Sequence, residues 1–429
     1  MTKRIAFVAE DFCFGPQATL AQVVSALVEK LKAQEIDHNR DDSCLQLAFI
    51  GSSFSTQLQT KGLFARFETV TDEQRTSPLF ASKFLMDMDV VVVFMDWSVV
   101  QQVAALPRNQ RPAIVFIDCL TWFWDGRALE RTYGRSTLES IDLYVAQNFL
   151  GVKEALDGTS ERANGVFSSM KRTVCVPPLV DAIDMAADPE RTLNIVNMGG
   201  LKNPLIEDPG TMVSYASTMI NASCLQRHDW EVFTSTSIAH FLNSSAPTRV
   251  RISTLSPEAE RTQLSKAQMI IMTPGLGNIF NVMNLELGKI AINKDQMISY
   301  GPPTILLPPA NNSQGMQQKL LKEWFTRRGI RLAAIDWEDI YLEEIDYTGD
   351  PGTVHFQIRE NITQILNPGN GRMRALLERT IADLQTGFYL RNHRIYCPLP
   401  MLAEELGTGG IKQLVKELIE FEPIKGMLG

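Results

Sequence analysis

Asn311, Asn312, Ser313 and Gln314 set four neutral polar side chains in a row, directly after the apolar run Ile305-Leu306-Leu307 and the pair Pro308-Pro309. A carboxamide offers donor and acceptor together, so it matches a sugar hydroxyl, which also gives and takes. The apolar run reads as a short buried strand that the prolines stop, because proline cannot continue a ladder. The polar side chains then fall just beyond the strand's carboxyl end, where open α/β sheets bind ligands. Ser313 has a second reading, as N-cap of the helix that carries Met316, Leu320, Leu321 and Trp324.

About thirty residues earlier, Ile270-Ile-Met-Thr-Pro-Gly-Leu-Gly-Asn-Ile-Phe-Asn281 repeats the pattern of apolar strand, glycine turn and helix start. Gly275 and Gly277 let backbone N–H groups approach a diphosphate, and the following helix adds positive dipole without a metal. The third glycine of a dinucleotide fingerprint is missing, and turns of this kind are common. Gly199 and Gly200 meet the needs of a tight strand-to-helix turn in any case, and close approach to a ligand is an added use.

Acid–base chemistry points to the first half of the chain. Asp118 ends an apolar strand beside Trp122 and Trp124, whose rings can hold a planar ligand and raise the carboxylate's basicity by desolvation. The alternative is a turn-capping aspartate with the tryptophans in the core. Asp11 follows the first strand, where a turn role is common. Asp96, after the Val90 strand, divides between substrate contact and helix N-cap. Asp87-Met-Asp89 precedes that strand, the wrong sheet end for a ligand, and reads as solvated strand entry instead of a metal-binding pair.

Strand-like runs alternate with helical patterns, which favours parallel sheets covered on both faces. Strands are expected at Ile5–Ala9, Leu45–Ile50, Val90–Phe94, Ala113–Ile117, Leu143–Ala146, Leu193–Val196, Trp230–Phe233, Met269 and Ile305. Thr19-Leu-Ala-Gln22 resembles a capping box opening the first helix. Prolines and charges between Pro177 and Arg191 break the pattern. The expectation is α/β, with two tandem doubly wound, Rossmann-like domains facing across a cleft. These are an acceptor domain at 1–180, a donor domain at 190–368 and helices at 369–429 packing back on the first domain.

The 429 residues, 45% hydrophobic, are ample for two cores. A net charge of −8 argues against nucleic acid or an anionic membrane as main partner. Six cysteines scattered singly read as reduced thiols, and five isolated histidines give zinc no support. No apolar run reaches transmembrane length, and the opening residues are too short for a signal peptide, so a cytoplasmic enzyme is expected. Homo-oligomerisation is left open.

Met198-Gly-Gly200, Thr273-Pro-Gly-Leu-Gly277, and Pro309 followed by Ser313-Gln314 together resemble nucleotide-sugar-dependent glycosyltransferases of the two-Rossmann-domain (GT-B) type. The resemblance implies that the glycine loop faces the donor diphosphate and that Ser313 and Gln314 hold the transferred sugar. It implies a uridine diphosphate sugar as co-substrate, a small-molecule acceptor, and neither metal nor cofactor. For the donor ribose Asn281 and Glu286 compete, and extra residues around Lys289 to Tyr300 precede Gly301-Pro302. Gln17 stands where related transferases carry an acceptor-site histidine. With Asp96, Trp122 and Trp124 it makes the expected acceptor side, while Asp118 and Asp11 are the expected acid–base residues. Ile117-Asp-Cys-Leu-Thr-Trp-Phe-Trp-Asp125 and Tyr144-Val-Ala-Gln-Asn-Phe149 look like the subgroup of cytosylglucuronate synthases, which implies a nucleobase acceptor and a place in nucleoside-antibiotic biosynthesis. The rival readings are a nucleotide-sugar epimerase and a non-catalytic two-domain ligand-binding protein.

Overall fold

The computed structural model describes residues 2–10, 14–36, 38–39, 43–51, 62–180, 191–199, 201, 209–220, 229–234, 236–242, 250–293, 296–341, 343–365, 371–386 and 397–428. The chain forms two compact units, Met1–Asp181 with Leu406–Gly429, and Ala182–Glu405.

In the first unit the strands are β1 (Lys3–Ala9), β2 (Leu45–Gly51), β3 (Arg66–Thr69), β4 (Val90–Phe94), β5 (Ala113–Asp118), β6 (Leu143–Gln147) and β7 (Thr173–Val176). They pair in parallel in the order β3-β2-β1-β4-β5-β6-β7. Val90-Val-Val-Val-Phe94 is buried throughout, as a central strand covered on both faces must be. The strand order reverses between β1 and β4, so the loops leaving these two carboxyl ends diverge and frame a crevice.

The helix Phe14–Ala33 begins upstream of the expected Thr19 start and buries Leu20, Val23, Val24, Leu27 and Leu31. Against it lies the late helix Gly410–Glu420, whose Ile411, Leu414, Val415 and Leu418 join the same core. At Gly410 a Cβ would run into the Pro177 carbonyl, so only glycine permits that approach. Asn148 Nδ2 donates to Leu406 O at 2.9 Å where the chain returns. The return that the sequence placed from residue 369 begins at Leu406. Ahead of it, the helix Arg372–Thr386 stays in the second unit, with Arg372 Nη1 donating to Ile340 O at 2.9 Å.

The second unit has β8 (Leu193–Asn197), β9 (Trp230–Phe233), β10 (Val250–Ser253), β11 (Ala267–Met272) and β14 (Thr304–Leu306), all parallel, in the order β10-β9-β8-β11-β14. Here the order reverses between β8 and β11. The residues that precede Gly301 form an antiparallel hairpin, β12 (Gly288–Asn293) with β13 (Gln296–Tyr300). Two doubly wound, Rossmann-like sheets are thus the architecture.

Candidate functional site

Polar residues gather at the carboxyl edges of both sheets, beside each reversal of strand order. In the first unit, Glu10 follows β1, Asp96 follows β4 and Asp118 closes β5, so neighbouring strands end in carboxylates. Arg75, on the short helix Asp72–Thr76, reaches two of them. Its guanidinium Nε donates to Asp96 Oδ2 at 2.9 Å, Nη2 also donates to that oxygen, and Nη2 meets Glu10 Oε1 at 3.1 Å. The second Asp96 oxygen accepts from the Ser98 and Val99 amides, capping the helix Trp97–Ala104. Asp96 is only 1% exposed, so capping and ion pairing replace the acceptor contact expected of it. Met95, just before it, is held at φ 63°, an uncommon left-handed conformation for a side-chain-bearing residue.

Asp118 is 0% exposed. Its Oδ2 accepts from Tyr144 Oη and Trp124 Nε1, both at 2.6 Å, and its Oδ1 accepts from the Leu120 amide at 2.7 Å. Thr121 Oγ1 lies 2.9 Å from Tyr144 Oη. With that enclosure the carboxylate has no exposed surface, and it fixes Trp124 and Tyr144. Burial raises its pKa to about 6, opposed by the three hydrogen bonds. Below about pH 4 the group is protonated folded or unfolded. Between about 4 and 6 the unfolded chain ionises more readily, so the folded state loses up to about 3 kcal/mol, and nothing further changes above that range. Asp118→Asn is therefore expected to flatten the fall in stability from pH 4 to 6, read from urea midpoints. Parallel profiles for the two proteins would contradict the burial argument.

Trp122 is core: 5% exposed, its Nε1 donates to Cys119 O at 3.2 Å and its ring tilts on Phe149. Trp124 is half-buried, edge-on to Trp97. Gln17 is 5% exposed in the first helix. Asp11 and Gly200 lie outside the described residues. Asp87 and Asp89 pair with Arg4, Arg66 and Lys3 at the entry to β4 and β1, far from the ligand edge of the sheet.

In the second unit the turns after β8 and β11 are tied together. Thr273 Oγ1 donates to Gly199 O at 2.6 Å, and Asn278 Nδ2 donates to the same carbonyl at 3.2 Å. The Gly199 amide donates to Asn197 Oδ1 at 2.8 Å. A Cβ at 199 would sit 3.0 Å from Asn197 Oδ1 and 3.2 Å from Asn278 Oδ1, which is why glycine occupies the turn. Asn278 and Asn197 were missed in the sequence; Asn197 ends β8 and Asn278 sits in the first turn of the helix Leu276–Met283, and neither differs in sequence from an ordinary turn or cap asparagine. Gly275 N-caps the helix Leu276–Met283, whose first turn holds no acidic residue, and Gly277 has open space around its Cα.

The cap of the helix Asn312–Thr326 is Asn311, not Ser313: Asn311 Oδ1 accepts from the Gln314 amide at 3.0 Å and from Ser313 Oγ at 2.9 Å. Gln314 Oε1 accepts from the Ala310 amide at 2.9 Å, which turns its Nε2 toward Gly275, 3.9 Å from where a Cβ there would be. Below this turn, Tyr215 Oη donates to Pro308 O and Trp337 Nε1 to Pro309 O, each at 2.9 Å. Asn281 donates its amide to Glu260, a half-buried carboxylate on the helix Pro257–Leu264 that also accepts from Asn197 Nδ2 at 2.7 Å. Burial raises the pKa of Glu260.

No family model matches the chain, and no curated protein matches it. Among solved structures it is similar to the glycotransferase of kitacinnamycin, at 14% identity and TM-score 0.43, over 89% of this chain and 99% of that one. It is similar to Arabidopsis thaliana UGT89C1, at 10% identity and TM-score 0.47, over 100% of both chains. A third likeness is S. aureus MnaA with UDP, at 10% identity and TM-score 0.47, over 99% and 98%. Among the described residues no helix is long and apolar enough to cross a membrane.

Proposed function

We propose that the chain is a glycosyltransferase of the GT-B type that moves a sugar from a uridine diphosphate donor to a small planar acceptor such as a nucleobase, without metal. One observation carries this reading: the glycine turn after β11 and the carboxamide of Gln314 after neighbouring β14 converge at the carboxyl edge of one sheet. Backbone amides at an unobstructed glycine suit a diphosphate, and an anchored carboxamide beside them suits the hydroxyls of the attached sugar. As the bond from the sugar's anomeric carbon to the diphosphate oxygen breaks, the electron pair stays with that oxygen. The amides at Gly275 and Gly277 and the dipole of Leu276–Met283 meet the charge that develops.

On the acceptor side we assign the base to Glu10. It belongs to the same crevice as Asp96, and its side chain is 30% exposed where that of Asp96 is 1%. Trp124, held by Asp118, offers its ring to a planar acceptor. A cytosylglucuronate-synthase-like acceptor and a cytoplasmic setting belong to this same proposal.

The test is a thermal-shift screen with UDP and UDP-sugars, since a ligand that binds only the folded chain raises its melting temperature. Gln314→Ala is expected to retain the UDP shift and to erase the differences between UDP-sugars. Equal loss of both would remove Gln314 from the sugar site. Release of UDP that depends on an added acceptor separates transfer from epimerisation and from mere binding.

A further inference from the structure

We infer that the second unit carries a site for a small organic ammonium ion, in a cavity between the helix Asn312–Thr326 and the residues in and around the helix Trp337–Tyr341. The site goes beyond the nucleotide-sugar reading and does not rest on it. Lys319, Lys322 and Glu323, at three- and four-residue spacing, line it from one face of the longer helix. The following segment supplies Asp336, Glu338 and Glu344, with buried Ile345 and Tyr347 as the apolar part of the lining. The volume is about 190 Å³, far above the roughly 10–15 Å³ that admits one water.

Most of these charges cancel in pairs. Lys319 Nζ lies 3.4 Å from Glu344 Oε1, Lys322 Nζ lies 2.9 Å from Glu338 Oε1, and Glu323 has Arg327 at 3.4 Å. Asp336 is left over. Its side chain is 9% exposed, and its Oδ1 is taken by Tyr347 Oη and the Trp337 amide. No described residue donates a hydrogen bond to Oδ2, and Lys322 Nζ, 3.9 Å away, is too far to make one. Burial raises the pKa of this carboxyl more than Tyr347 and Lys322 lower it, as befits a charge with no close counter-ion. A buried acceptor oxygen on a cavity wall calls for a cation that brings N–H donors. Ile345 and the Tyr347 ring favour an apolar body behind that cation. A metal ion suits the site less, because among the described residues no three His, Cys, Asp or Glu side chains are grouped to hold one. The matching chemistry is that of a primary alkylammonium.

Calorimetric titration of the full chain with the chlorides of butylammonium, tetramethylammonium and magnesium tests the assignment. Butylammonium is expected to bind once per chain, about 10-fold tighter than tetramethylammonium, which has no N–H to give Oδ2. Asp336→Asn keeps an oxygen for Tyr347 and Trp337 but loses the charge, and is expected to weaken butylammonium by about 10-fold or more. Lys322→Met keeps the apolar stem and removes a competing ammonium, so it is expected to tighten butylammonium by on the order of fivefold. No saturable uptake of butylammonium, equal affinity for the two ammonium ions, or tighter binding of magnesium overturns the inference. Unchanged affinity in Asp336→Asn does the same. Should that variant not fold, unchanged or weaker binding by Lys322→Met overturns it instead.

Discussion

Replacing Glu10 by Gln lowers the turnover number for sugar transfer by about 10²- to 10⁴-fold, the usual worth of a positioned base, with UDP affinity unchanged. The argument is one of access and charge. Asp118 is wholly enclosed by Tyr144, Trp124 and Leu120, and Asp96 is spent on capping a helix and pairing with Arg75. Glu10 shares the same guanidinium, but the buried Asp96 already balances that cation, so the positive field felt by Glu10 is reduced. Tyr133 reports the surplus of negative charge: its pKa is raised by burial first, then by Asp96 and Glu10. Gln retains an oxygen for Arg75, so the variant folds and the loss is chemical. A turnover within about fivefold of the parent at saturating donor would show that another group takes the proton.

The parts of this molecule that could be read from its sequence are those whose burial leaves a mark on every residue. Val90–Phe94 coincides with the expected strand because a parallel strand covered on both faces is apolar without interruption, and Trp230–Phe233 coincides although Glu231 breaks its apolar run. β3, β7 and β10 escaped notice: Arg66-Phe-Glu-Thr69, Thr173-Val-Cys-Val176 and Val250-Arg-Ile-Ser253 are edge strands, partly exposed, and edges tolerate charge. Lys289 to Tyr300 looked like spacer because a hairpin outside both parallel sheets keeps no long apolar run.

At the site, the strand-end position of Asp118 was visible, but its environment was not. Tyr144 reaches it because β5 pairs with β6 in a register that sets Asp118 opposite Ala146. The Asn197–Glu260 hydrogen bond was invisible for the same reason: the two stand 63 residues apart, and only the packing of the helix Pro257–Leu264 beside Leu276–Met283 brings them together. Glycine turns and amide runs betray themselves locally; partners delivered across a sheet do not.

That dependence on distant packing makes Gly315→Ala the severest change expected in the second unit. A Cβ at this position falls onto the Tyr347 ring, far inside van der Waals contact, and Tyr347 is only 2% exposed. The ring cannot simply swing out, since its hydroxyl donates to Asp336 Oδ1 at 2.7 Å. The same oxygen accepts from the Trp337 amide at 2.7 Å, and the Trp337 indole holds Pro309 O at 2.9 Å. Pushing Tyr347 away therefore loosens the turn that carries Asn311, Ser313 and Gln314. Overpacking of this kind costs about 3 kcal/mol, or roughly 6–12 °C of melting temperature for a unit of this size, and the preference among UDP-sugars goes with it. Combining Gly315→Ala with Tyr347→Leu makes room for the methyl group, so the pair is expected to be less damaging than the sum of the two single changes. Melting of Gly315→Ala within about 2 °C of the parent, or strict additivity in the pair, would show that the turn after β14 does not lean on this tyrosine.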